Sequence, residues 1–167
     1  MVKSPGIPDT APVVKAFIAQ GVPVISEIEF AGRYSKAKVV GITGTNGKTS
    51  VARMIERILR EMGLRTGRLT SPHLISFNER ISLDGEPVAD ERFIEVYEDN
   101  KPILELVDQR LAEQGEAPLT FFEAFTALSF QLFADTPVDV LVLEVGIGGE
   151  WDATNVADGD VAVFTSI

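Results

Sequence analysis

The amino-acid sequence predicts an α/β domain of three layers, with a mostly parallel sheet and helices on both faces. Three observations carry this. Residues 38–43 are largely β-branched and apolar, and run through Gly44 and Gly47 into Lys48-Thr49. Val51, Met54, Ile55, Ile58, Leu59 and Met62 then recur at helical spacing, with Arg53, Glu56, Arg57, Arg60 and Glu61 between them, the change of period expected of a strand feeding a helix. Two later runs, 138–145 and 161–167, are apolar continuously enough, rather than alternating, to be central strands covered by helices on both sides.

The remaining elements fill in around this unit. Thr10 and Pro12 are good helix-start residues, and Val13, Val14, Phe17 and Ile18 give an apolar face that ends before Gly21. A buried strand is expected over 22–25, and a connection over 26–36 leads to the strand before the glycines. Gly63 closes the first long helix, and 64–70 read as the next strand. Residues 71–88, with Ser-Pro-His, Asn-Glu-Arg and Asp-Gly-Glu-Pro, read as a substrate loop with a short strand at 80–83 and a turn at Asp84-Gly85. Residues 89–114 read as helical with a start or break at Pro102, whose ring clashes with an uninterrupted helix interior. Residues 120–134 are apolar nearly all round (Phe121, Phe122, Phe125, Leu128, Phe130, Leu132, Phe133), so that helix should be buried on several faces and its aromatics should be core. The chain divides into a β-α-β segment, 1–37, and a partial ATPase domain, 38–167, packed as one compact unit. It stops at Ser166-Ile167 within or just after a strand, as if cut short, and an uncovered sheet edge of that kind invites self-association.

Composition narrows the function. The formal charge of −10 over 167 residues argues against a non-specific nucleic-acid binder, which needs a concentrated basic face. Arg53, Arg57, Arg60, Arg65 and Arg68, interleaved with glutamates, read as a solvated helix face. There is no cysteine, hence no disulfide or thiolate chemistry. The N-terminus lacks a signal-peptide apolar stretch, and no run approaches the roughly 20 apolar residues of a membrane span, so a soluble, cytoplasmic protein is expected.

The chemistry centres on Gly44-Thr45-Asn46-Gly47-Lys48-Thr49-Ser50. Glycines bring backbone N–H groups close to phosphate, the following helix adds its positive dipole end, lysine supplies a point charge and a hydroxyl reaches Mg²⁺. Ile42 stands where the general pattern has its first glycine, and Gly41 and Gly44 flank it. Glu144 ends the apolar run Val140-Leu141-Val142-Leu143, where an acid is costly without a partner and well placed to hold Mg²⁺. The lone histidine, His73, cannot make a metal site by itself.

Gly-Thr-Asn-Gly-Lys-Thr-Ser, Thr70-Ser71-Pro72-His73-Leu74, Phe77-Asn78-Glu79-Arg80-Ile81, Glu144-Val-Gly-Ile-Gly-Gly and Asp152-Ala-Thr-Asn155 together resemble folylpolyglutamate synthase and bifunctional dihydrofolate synthase over about residues 38–167. The resemblance implies ATP-dependent attachment of glutamate, in which ATP phosphorylates a carboxylate and the amine of glutamate attacks the acyl phosphate. It assigns Lys48 to the β/γ-phosphates as the catalytic residue, Thr49 to Mg²⁺, Thr45, Asn46 and Gly47 to the phosphate-loop backbone, and Ser71 and Glu144 to further metal positions. His73 and Arg80 fall in the stretch that resembles the folate loop, and Asp152 and Asn155 complete the substrate-binding candidates. ATP, Mg²⁺ and a folate-type or glutamate substrate are the implied ligands. Glu150 departs from the family's usual arginine after Gly-Gly, a reversed charge that would weaken anion binding. Residues 1–49 instead resemble UDP-N-acetylmuramoylalanine–D-glutamate ligase, a member of the same Mur ligase superfamily, which implies a chimera joined near 44–50. Without the family's downstream residues complete turnover is not expected. An engineered α/β scaffold without activity is the alternative reading, and a general phosphate-loop ATPase or kinase leaves the Ser-Pro-His and Asp-Ala-Thr-Asn motifs unexplained.

Overall fold

The structure, a computed structural model, describes residues 2–3, 12–21, 24–26, 37–148 and 152–166. Near the N-terminus, β1 (Val2–Lys3) and β2 (Ile25–Ser26) pair in parallel as a separate two-stranded sheet, with α1 (Pro12–Ala19) between them in sequence. Val22 and the connection over 27–36 lie outside the described residues.

The main sheet has six strands: β3 (Lys38–Thr43), β4 (Thr66–Leu69), β5 (Ile81–Leu83), β6 (Glu86–Pro87), β7 (Val140–Glu144) and β8 (Val161–Phe164). Their order is β6-β5-β4-β7-β3-β8. The four strands from β4 to β8 are parallel, while β5 and β6 add an antiparallel hairpin at one edge. Asp84 and Gly85, at φ 50° and 83°, make that hairpin's two-residue turn, the twist-matched kind for which Asp-Gly is suited.

Helices cover both faces, as expected. Strand β7 shows why its run is continuously apolar. Val140 and Val142 pack with Ile42 and Ala52 on the side of α2 (Lys48–Glu61), whereas Leu141 and Leu143 join Leu69, Phe125, Leu132 and Phe133 on the other. That second core is roofed by α3 (Asp90–Glu113) and α4 (Phe121–Asp135). A Cβ on Gly67 would come within 2.9 Å of the Phe133 ring, so glycine in β4 lets α4 lie against the sheet. Among the described residues no helix is long and apolar enough to cross a membrane.

Four expectations are corrected. Helix α3 continues through Pro102 as one 24-residue element: Pro102 and Glu98, whose carbonyl loses its donor, are both exposed to water, and buried Val96 and Leu111 anchor the two halves. Strand β8 lies at the sheet edge rather than in its centre, with Val161 50% and Phe164 74% exposed. On α2 the apolar set is split: Val51, Ile55 and Leu59 face the sheet with Ala52, while Met54, Ile58 and Met62 are exposed. Lastly, the five arginines are not one solvated helix face. Arg68 sits in β4, buried, with its guanidinium Nε 2.6 Å from the equally buried Glu56 of α2, and Arg65 pairs with Asp139 ahead of β7. Helix α4 is buried along most of its length, but Phe121 in its first turn is 62% exposed.

Candidate functional site

The register of the sheet builds the site. Ile42 of β3 stands opposite Glu144 of β7, so the glycine loop and the carboxylate leave the sheet side by side at the carboxyl ends of adjacent parallel strands, where open α/β sheets bind ligands. Gly44 turns the chain at φ 130°, and a Cβ there would stand 2.2 Å from the Thr165 hydroxyl. Gly47, at φ 79°, is the N-cap of α2. The first-turn amides of α2 have no intrahelical acceptor and point out of its N-terminus.

Thr49 and Glu144 meet directly. The Thr49 hydroxyl lies 2.9 and 2.8 Å from the two carboxylate oxygens of Glu144, and the Ser71 amide donates to one of them at 3.2 Å. Glu144 is only 2% exposed, and among the described residues no lysine or arginine pairs with it, so a buried negative charge is met by neutral donors. The Lys48 ammonium, one residue from Thr49, folds back to donate to the Gly44 carbonyl at 2.8 Å. Thus Thr49, Ser71 and Glu144, from three separate stretches of the sequence, converge, with Lys48 next to Thr49. Two of the three assigned backbone positions are placed differently. The Thr45 and Asn46 amides donate to the Ser166 carbonyl at 2.9 and 3.3 Å, through an isolated antiparallel bridge between Asn46 and Ser166 just past the parallel β3–β8 pairing. Gly47, Lys48, Thr49 and Ser50 therefore supply the amides at the helix end.

The loop after β4 leads from this cluster to a second. The Ser71–Pro72 peptide is cis. Beyond it, Glu79 accepts from the Leu74, Ile75 and Ser76 amides at 3.2, 3.1 and 3.0 Å, and these bonds, with Ser76 first, hold its carboxyl below the usual range. His73 accepts through Nδ1 from Arg80 Nε at 2.9 Å. The Arg80 guanidinium carbon in turn lies 5.6–5.8 Å from the centroids of Phe77, Phe121 and Phe125, within cation–π range.

Asp152 and Asn155 lie in a turn beside the same helix. Gly146 is within reach of both Phe122 and Asp152: a Cβ there would be 2.9 Å from the ring and 3.1 Å from the carboxylate. The buried Asp152 accepts from the Gly148 amide and from the amide and hydroxyl of Thr154. Burial pushes its carboxyl up, but the bonds from Thr154, Gly148 and Ile147 outweigh this and hold it below the usual range. Its oxygens thus shape the loop. Asn155 donates its amide to the Asp152 carbonyl at 2.9 Å. Glu150 lies outside the described residues. The sequence reading missed Phe121, assigned to the core by its neighbours' apolarity. The signal available was its place: Thr120 and Glu123 form a capping box around it, and a first-turn residue of a capped helix is the least enclosed.

This constellation now meets its relatives. The profile of the Mur ligase middle domain matches residues 42–167. The chain belongs to the Mur ligase family. It is similar to the dihydrofolate synthase/folylpolyglutamate synthase of Mycobacterium tuberculosis, with 50% identity over 131 residues, 77% of this chain and 27% of that protein. A folylpolyglutamate synthase from the same organism, solved with ADP, superposes with a TM-score of 0.75 at 46% identity, covering 82% of this chain and 30% of that one. An FPGS complex with AMPPCP and folate gives 0.71 at 37% identity, covering 82% and 33%. The Mur ligase chain thus spans about 30% of the length of its relatives, and residues 1–41 lie outside the profile match.

Proposed function

We propose that this chain is the phosphate- and Mg²⁺-binding part of an ATP-dependent ligase that joins glutamate to a folate-type carboxylate. The observation that carries the reading is the contact of the Thr49 hydroxyl with the buried Glu144 carboxylate, one residue from Lys48. Among the described residues no three His, Cys, Asp or Glu side chains converge, and the side-chain set in contact is all oxygen, the Glu144 carboxylate and the Thr49 hydroxyl, with Ser71 held beside them through its amide. That sparse set fits Mg²⁺, which keeps waters and substrate phosphates as its other ligands. When bound, the ion neutralises phosphate charge.

The chain's own residues do the rest. The α2 N-terminus offers amides to phosphate oxygens, and Lys48 swings from the Gly44 carbonyl to the β/γ-phosphates as charge moves onto them during transfer to the substrate carboxylate. His73 and Arg80, with exposed Phe121 beside them, present a planar cation over aromatic faces, suited to a flat heteroaromatic acid. Asp152 and Asn155 shape the site beside Phe122, where Gly146 approaches the ring and Gly148 donates to Asp152. Residues 1–37 precede this unit in sequence, the ligase acts in the cytoplasm, and strand β8 offers an edge for self-association. Mg-ATP titrated calorimetrically should bind saturably and bind no longer to Lys48→Ala. A well-folded chain that binds no nucleotide, or a Lys48→Ala variant that binds as well, overturns the reading and leaves an inactive scaffold.

A further inference from the structure

A cavity of about 440 Å³ lies between α2, the 74–79 loop and the β5–β6 hairpin. Arg53, Arg57, Arg60 and Arg68 line it against only Glu56 and Glu79, in a protein whose formal charge is −10. Glu56 is consumed by Arg68 at the cavity floor. Glu79 is committed to three loop amides and stands 3.8 Å from Arg53. Arg57 has only Glu61, one turn along the helix, in a pair whose side chains are 68% and 66% exposed and which water readily replaces. Arg60 has no carboxylate partner among the described residues, and its guanidinium lies over Gly85, where a Cβ would stand 1.7 Å from it.

We propose that this groove is an exosite for a linear polyanion. Arg53, Arg57 and Arg60 follow at i, i+4 and i+7, which sets them in one row about 10 Å long. A single phosphate or carboxylate would span only a fraction of that row, whereas anionic groups repeated along a chain would meet each planar guanidinium in turn. Leu74 and Ile75, 83% and 92% exposed, and Pro87 give the rim apolar surface for the methylenes between such groups. The carboxylate form of this ligand is an oligoglutamate tail, an assignment that rests on the ligase reading above; the groove itself does not.

The test titrates γ-linked triglutamate and, separately, inorganic tripolyphosphate into the chain at low ionic strength. Each is also titrated into Lys48→Ala and into the double variant Arg57→Gln/Arg60→Gln, with Mg-ATP binding measured in parallel. Arg57 is exposed, Arg60 is half-buried over Gly85, and both lie at least two turns from the Lys48 end of α2, so folding and Mg-ATP binding should hold. The expected result is triglutamate binding that survives Lys48→Ala and weakens about tenfold in the double variant, as loss of two charge contacts predicts. Tripolyphosphate alone behaving this way upholds the groove and overturns its assignment to a glutamate tail. Binding of neither probe, or binding indifferent to the double variant, overturns the exosite. Because Mg-ATP is read separately, loss of nucleotide binding with triglutamate binding intact falls on the ligase reading and not on the groove.

Discussion

Replacing Arg68 by methionine isolates what the buried ion pair contributes. The guanidinium donates to Glu56 at 2.6 Å and to the Thr70 hydroxyl at 3.0 Å, and Ser82 donates to the other Glu56 oxygen at 2.8 Å. Both charged residues are 5% exposed or less. Arg68→Met leaves a carboxylate in that setting with one neutral donor, which costs about 3–5 kcal/mol. The double variant Arg68→Met/Glu56→Leu removes both charges and leaves the Ser82 and Thr70 hydroxyls short of one partner each, at about 1 kcal/mol apiece. It should therefore be about 1–3 kcal/mol more stable than Arg68→Met alone. Urea unfolding followed by far-UV circular dichroism measures both, with an unchanged slope as the sign that the unfolded state is the same. An Arg68→Met variant within about 1 kcal/mol of the parent, or a double variant no more stable than Arg68→Met, would refute the account, because a pair open to water behaves that way.

Three other outcomes follow from the same geometry. Gly44→Ala should lower Mg-ATP affinity at least tenfold and cost about 1–3 kcal/mol, since its Cβ meets Thr165 at a φ of 130°; calorimetry and urea unfolding that both match the parent would contradict it. Gly67→Ala should cost about 1–3 kcal/mol by pressing α4 off the sheet, read as a lower thermal midpoint with nucleotide affinity retained. Glu79 and Asp152 have folded values below their ordinary 4.5 and 3.8, so the unfolded chain binds protons first as pH falls. Their contribution is whole above those ordinary values and is lost as pH drops through the depressed ones. The advantage of the parent over Glu79→Gln and over Asp152→Asn in urea midpoint should then be constant from pH 7 to about 5 and shrink below that; a gap that stays constant to pH 2 would show that neither carboxylate is held as described.

What could be read from the sequence was what depends on near neighbours. The β3–loop–α2 unit is a change of period within about twenty residues, and the two-sided burial of β7 is written in its own unbroken apolarity. Whether a strand has neighbours on both sides is not. The run containing β8 is as apolar as β7, and among the described residues β8 pairs with β3 alone; hydropathy reports suitability for burial, and which strand supplies a partner has to be read from the sheet. The same limit explains Glu56. Its place in a helical pattern marks it as polar, and only the arrival of Arg68 from the next strand makes burial of that carboxylate affordable. Pro102 fails in the opposite direction: a local penalty of one lost hydrogen bond was visible, while the anchoring of α3 at Val96 and Leu111 that outweighs it was not. At the site, the residue types that handle phosphate were legible because their chemistry is specific. The carbonyl of Ser166, which claims the Thr45 and Asn46 amides, has no side-chain signature at all; a backbone acceptor brought by a strand more than a hundred residues away can be found only once the register of that strand is known.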